Sequence, residues 1–311
     1  MKLATAPLRV PFAAGGRLLE PVRADLRREV RRSFGMPAHP PHRIREPGLD
    51  GGDGDEEEAV LRLPSESVAR HVHADLPAMS IGGLAALLLQ TLHPLTMAGV
   101  AEHSSYKEHP ISRLRRTATF IAATTFGTVA EAQSAIEGVK DVHRRVHGRA
   151  PDGRPYSAND PELLTWVHVA GAYCFLTASQ LYGPRRLDEE EQDRYYAETA
   201  PVARALGAGW VPETRDEVSA YLKRMRPELY AGPQALDARN FLLRGVARRP
   251  NDRFVYAVVA AGALDVLPRW AREELEVPTV PLFDMRMTRP VAQAFCGALR
   301  WTLQPDSPSA P

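Results

Sequence analysis

From residue 64 onward, apolar residues recur at steps of three and four, the spacing of helices with one buried face. No apolar/polar alternation of period two is sustained, and no internal repeat is visible. The spacing predicts helices near 81–93, 112–126, 129–147, 161–182, 188–206, 215–226, 233–244 and 252–266. Starts are marked by Thr128 with Glu131, by Asp160-Pro161-Glu162 and by Asp188 with Glu191. Stops fall at Gly148, at Gly183-Pro184 and at Pro268. The expectation is an all-α fold in one multi-helix domain over 64–303. It is preceded by an arm over 1–63 with one basic amphipathic helix near 18–30 and a solvated Gly/Asp/Glu run near 49–58. A disordered tail over 304–311 follows. A basic helix beside an acidic run allows a peripheral membrane or partner contact; a plain solvated extension is the blander alternative.

Composition removes several function classes. The chain has 311 residues, 39 basic and 38 acidic side chains and a net charge of +1, which leaves no basic footprint for nucleic acid. Its two cysteines, Cys174 and Cys296, belong to no CxxC pair, so zinc ribbons, iron–sulfur clusters and covalent haem attachment find no support. Neither GxGxxG nor GxxxxGK[ST] occurs. The longest apolar stretch, 81–89, is about half of the ~20 residues a membrane span needs. The broken apolar run near the N-terminus is weak for a signal peptide. With two lone cysteines, the expected location is cytoplasmic.

The histidines narrow the search for chemistry, because all ten lie between His39 and His168. In the helix expected from 129, the stripe Val129, Ala132, Ile136, Val139 and Val146 leaves a gap that His143 fills, so His143 should face the core. A buried imidazole needs partners for both nitrogens: a metal and an acceptor, or two ordinary hydrogen bonds. His147, one turn further on, is the alternative ligand, or else a cation favoured by the helix end. Arg113, Arg116 and Thr117 cluster on one face of the preceding helix, where guanidinium groups could hold anions and the hydroxyl a ligand; a solvated basic helix start is the bland reading. The small residues of Ala122-Ala123-Thr124-Thr125 admit either a flat ligand or tight helix packing. Gln90 and His93 close a greasy helix and would line a pocket. His168, sharing a face with Leu164, Gly171 and Phe175, should turn inward as a supporting hydrogen-bond partner. Arg269, Trp270 and Arg272 read as structural.

Taken in order, Gly82-Gly83-Leu84, Gln90-Thr91-Leu92-His93-Pro94, Glu102-His103-Ser104, Arg113-Leu114-Arg115-Arg116-Thr117, Phe126-Gly127-Thr128, His143-Arg144-Arg145-Val146-His147-Gly148, Tyr156-Ser157 and Trp166-Val167-His168 form a series. It resembles the family that groups uncharacterised bacterial proteins with the MpaB-type oxygenases and the rubber oxygenases (latex-clearing proteins), over roughly residues 65–275. The resemblance implies a globin-like helical core enclosing non-covalent haem b. It implies His143, in a His-x-x-Val stretch, as the proximal iron ligand. It also implies that Arg113, Arg116 and Thr117 lie near the haem. The expectation built on this is that Arg113 and Arg116 fix propionates or polarise the distal site, that Thr117 holds the reacting ligand, and that Gln90, His93 and His168 line or support the pocket. The partners would be dioxygen and a small apolar, alkene-containing substrate. Met97 stands where spacing would put the distal glutamate base of the rubber oxygenases, and Glu102 is the nearest carboxylate. Two other readings stay open: a non-catalytic haem or hydrophobic-ligand binding protein, and a cofactor-free helical interaction protein.

Overall fold

In the computed structural model the described residues are 61–246, 250–277 and 285–303. The expected arm helix, the acidic run and the tail after 303 lie outside them. The fold is all-α, as expected, with twelve α-helices among the described residues. In chain order they are α1 (Val68–Ala74), α2 (Leu76–Gln90), α3 (Pro94–His103), α4 (Pro110–Phe126), α5 (Val129–His143), α6 (Pro161–Tyr182), α7 (Glu189–Leu206), α8 (Arg215–Met225), α9 (Pro233–Asn240), α10 (Pro250–Val266), α11 (Arg269–Glu274) and α12 (Met285–Leu303). A two-stranded antiparallel hairpin, β1 (His147–Arg149) and β2 (Pro155–Ser157), follows α5, with Gly148 opposite Tyr156. Three-residue strands are too short to show an alternation, which is why none was visible in the sequence.

The packing centres on α2, which is apolar all round and mostly buried. Its main neighbour is α6, and α10 and α12 cover it from other sides. Gly82 allows the close approach: a Cβ there would lie 3.0 Å from the Cys174 carbonyl oxygen and 3.0 Å from the Phe175 ring. On α10, Gly262 has the same relation to Ile81, at 3.0 Å. Trp166, Tyr182, Tyr195 and Tyr221 are the largest fully buried side chains of the core. No single helix among the described residues is long and apolar enough to cross a membrane.

Between α1 and α2 the axis turns by 91° at Asp75. The Asp75 carboxylate caps α2 through the Ala78 amide (3.3 Å) and receives two hydrogen bonds of 2.7 Å from Arg300 of α12. A second pair ties α12 to α10: Arg289 donates to both oxygens of Asp265 (2.8 and 2.9 Å), which also accepts from the Tyr182 hydroxyl at 2.7 Å. Two acids buried at bends are thereby satisfied by one helix, α12, which was absent from the elements expected from the sequence.

Candidate functional site

Helices α4 and α5 pack together as a hairpin across Gly127 and Thr128. The start of α5 is the expected capping box: Thr128 Oγ1 accepts from the Glu131 amide (3.2 Å), and Glu131 Oε2 accepts from the Thr128 amide (2.7 Å). Ala132 and Ile136 are buried and Val139 partly so, as their spacing implies. His143 is the last residue of α5 and is half-buried. Its Nδ1 is buried with no hydrogen-bond partner, and burial pushes its pKa down.

Beyond His143 the helix does not continue to 147. The Val146 amide turns back to the His143 carbonyl (3.0 Å), and Val146 packs against Leu95, Ala98 and Tyr156. His147 therefore does not share the His143 face. It lies in β1, opposite Ser157, and is exposed. The apolar spacing that carried the expected helix to 147 reports a tertiary contact of Val146 instead.

A second group gathers where α2 ends against α6. The Gln90 side-chain amide donates to the Val167 carbonyl (2.9 Å), and the Trp166 indole N–H donates to the Gln90 carbonyl (3.4 Å). His93 lies past the end of α2, as the residue preceding α3, because Pro94 starts a new helix. It is 3% exposed, with its ring centroid 6.1 Å from that of Trp166. Its Nδ1 is also buried without a partner, and burial lowers its pKa. His168, on α6, is half-buried, and burial, helped by the charge of Arg204, brings its pKa down to about 4.

His168 has a neighbour that the sequence reading passed over. His73, at the end of α1, accepts or donates through both ring nitrogens: Nδ1 to Thr125 Oγ1 at 2.8 Å and Nε2 to the Tyr195 hydroxyl at 3.1 Å. Phe175 meets its ring edge-on at 5.7 Å. Burial and the neighbouring His168 bring its pKa to about 4. Its position was legible: Ala69 and His73 are one turn apart on the face that Val68 and Val72 bury.

Thr117 is placed differently from the expectation. The Arg113 guanidinium donates to Ser104 Oγ at the end of α3, and burial, with the charge of Arg116, lowers its pKa. Thr117 is exposed, and its hydroxyl bonds the Arg113 carbonyl of its own helix (3.3 Å). Arg116 is exposed and makes no ion pair with a described residue. Only the last turn of α4 is buried, at Thr124 and Thr125, so the inward face expected at Thr117 is not found. Ile111, Leu114 and Val142 leave 41%, 41% and 57% of their surface exposed on this hairpin, and Val167 leaves 38% on α6.

Met97 is 2% exposed and packs against Ala235 and Ala238 of α9. Glu102 accepts a hydrogen bond from the Tyr156 hydroxyl, which also lies 3.1 Å from His103 Nε2. Burial, reinforced by Glu102, raises the Tyr156 pKa to about 12. Gly148 makes room for this pair, since a Cβ there would sit 2.7 Å from the Tyr156 oxygen and 3.0 Å from Glu102 Oε2. Gly148→Ala should therefore cost about 1–3 kcal/mol of stability by overpacking. A urea unfolding midpoint equal to that of the parent protein would contradict this contact.

The imidazoles of His73 and His168, both brought to about 4, predict a pH dependence. Their pKa values lie below the ordinary 6.5, so the unfolded chain takes up more protons between about pH 6.5 and 4. Stability should fall as pH drops through that window and level off below it. The slope should flatten in His73→Gln and His168→Gln proteins, measured as urea midpoints at pH 7.5 and 5. An unchanged slope in both variants would refute the assignment.

The comparisons with known proteins follow this geometry. Two uncharacterised proteins, Mb2261 of Mycobacterium bovis and Rv2237 of Mycobacterium tuberculosis, are each 33% identical over 121 residues, covering 38% of this chain and 46% of theirs. The chain thus spans about half the length of the curated relatives it matches. No solved structure matches it. Residues 70–301, from α1 to the end of α12, match the family described as ER-bound oxygenase mpaB/B'/Rubber oxygenase, catalytic domain, and the chain belongs to that family.

Proposed function

We propose that the protein is a haem b-dependent oxygenase acting on a small apolar, alkene-containing molecule, with His143 as the iron ligand. The observation that carries this reading is the partnerless buried nitrogen of His143 at the end of a capped helix. An imidazole desolvated without a hydrogen bond costs free energy unless another group coordinates it. Among the described residues no three His, Cys, Asp or Glu side chains come together as a metal cage. A lone imidazole of this kind would suit an iron already held in a macrocycle, which needs few protein ligands. Ile111 and Leu114 of α4 and Val142 at the end of α5 leave apolar surface exposed on the same helix hairpin, in keeping with such a group.

Bound haem would supply the activation of dioxygen; the chain's residues bind, orient and exclude water. His143 would hold the group from α5. Arg113 is a partly buried cation suited to a propionate, and Arg116, exposed and without an ion pair to a described residue, would serve the same anion from the next turn. Thr117 is exposed towards solvent on that helix and would meet the ligand only from its hydroxyl's free side. Gln90 and His93 would line the far wall, and His168, kept neutral by burial, would support it through a hydrogen bond. The Met97 side chain cannot move a proton, so no carboxylate base is assigned at that position.

Oxygen consumption by the haem-loaded protein with apolar alkenes tests the activity. Substrate-dependent uptake that needs haem supports it. Haem binding with no uptake for any alkene would leave the second reading, a haem-binding protein without turnover, which Met97 favours.

A further inference from the structure

A cleft of about 580 Å³ opens on a face of α6 different from the one that meets α2, between α6, α7, α8 and α11. Its size is within the range of small-molecule pockets, roughly 300–1,000 Å³. Its walls include Leu176, Tyr196, Leu222 and Trp270. Three cations, Arg215, Lys223 and Arg226, also line it, and no acidic side chain does. Arg215 is already committed to Glu189 and Asp193. Lys223 and Arg226 form no ion pair with any described residue, and the Arg226 guanidinium lies 4.5 Å over the Trp270 ring. Tyr196 is buried at the floor of the cleft, 4% exposed. An apolar trough with uncompensated positive charge at its rim is complementary to a molecule with an apolar body and one anionic end.

We propose that this cleft is a second binding site, separate from His143, for an apolar carboxylate: an aliphatic chain or ring lying against Leu176, Leu222 and Trp270, with its carboxylate at Lys223 and Arg226. Two cations favour the carboxylate over an alcohol of the same shape, because a neutral hydroxyl forgoes the charge-assisted hydrogen bonds.

Calorimetric titration of the full chain with dodecanoate, below its micelle-forming concentration, tests this. The expected result is saturable one-to-one binding, with dodecanol at least tenfold weaker. A Lys223→Gln/Arg226→Gln protein should bind dodecanoate at least tenfold more weakly. Ser219 is exposed at the cleft, so Ser219→Trp should plug it without disturbing the core and abolish binding. Binding should be unchanged in His143→Ala, which separates this site from the haem reading. Absence of saturable binding, equal affinity for dodecanol, or parental affinity in both cleft variants would overturn the proposal.

Discussion

Replacing His143 by Ala should abolish stable haem binding while leaving the haem-free protein folded. Losing an outer-shell partner of a metal ligand costs roughly 10–100-fold in affinity, and losing the ligand itself should cost more. The fold should tolerate the change, because the imidazole sits at a helix end and makes no hydrogen bond with a described residue that Ala would break. The thermal midpoint of the haem-free variant should match the parent, and added imidazole should restore part of the Soret band. The same substitution at His93, whose Nδ1 is also buried and partnerless, should leave the band in place. If His93→Ala loses the band and His143→Ala keeps it, the ligand has been misassigned.

Arg300→Ala should produce the largest loss of stability. The Asp75 side chain is 8% exposed, and Arg300 supplies both of its short ion-pair contacts. Arg300 also donates to the Tyr182 carbonyl, so one side chain joins the α1–α2 bend, the end of α6 and α12. Removing one partner of a buried pair leaves an uncompensated charge and typically costs about 3–5 kcal/mol. Arg289→Ala should cost less, since Asp265, 2% exposed, keeps the Tyr182 hydroxyl. Urea midpoints of the two variants measure this order. A loss below about 1 kcal/mol for Arg300→Ala, the level of a surface pair, would show that the α12 contact is not formed as described.

These examples also mark what could be read from the sequence. The starts of α5, α6 and α7 were legible because N-caps are local chemistry, confined to residues three apart. The bounds of α2 were misread because its apolar residues run past Gln90 to Leu92, while Pro94 opens a separate helix. The same limit explains His147: spacing records that Val146 is buried, not that it is buried by α3 and Tyr156 after the chain has left the helix. Ion pairs such as Asp75 with Arg300 join residues 225 apart and leave no local trace. Of the candidate residues, the inward turn of His143 was legible from spacing, whereas the meeting of Trp166 with Gln90 and His93 joins two helices and was not. The exposure of Thr117 and the Arg113–Ser104 contact depend on how α4 is rotated in the fold, and periodicity alone does not set that rotation.

Whether His143 holds a haem iron is tested most directly by an absorption titration of the purified protein with haem. The account predicts a Soret band that saturates at one haem per chain in the parent protein and fails to form in His143→Ala. A parent protein that stays spectrally silent as haem is added, or a variant with the same saturating band, would contradict it.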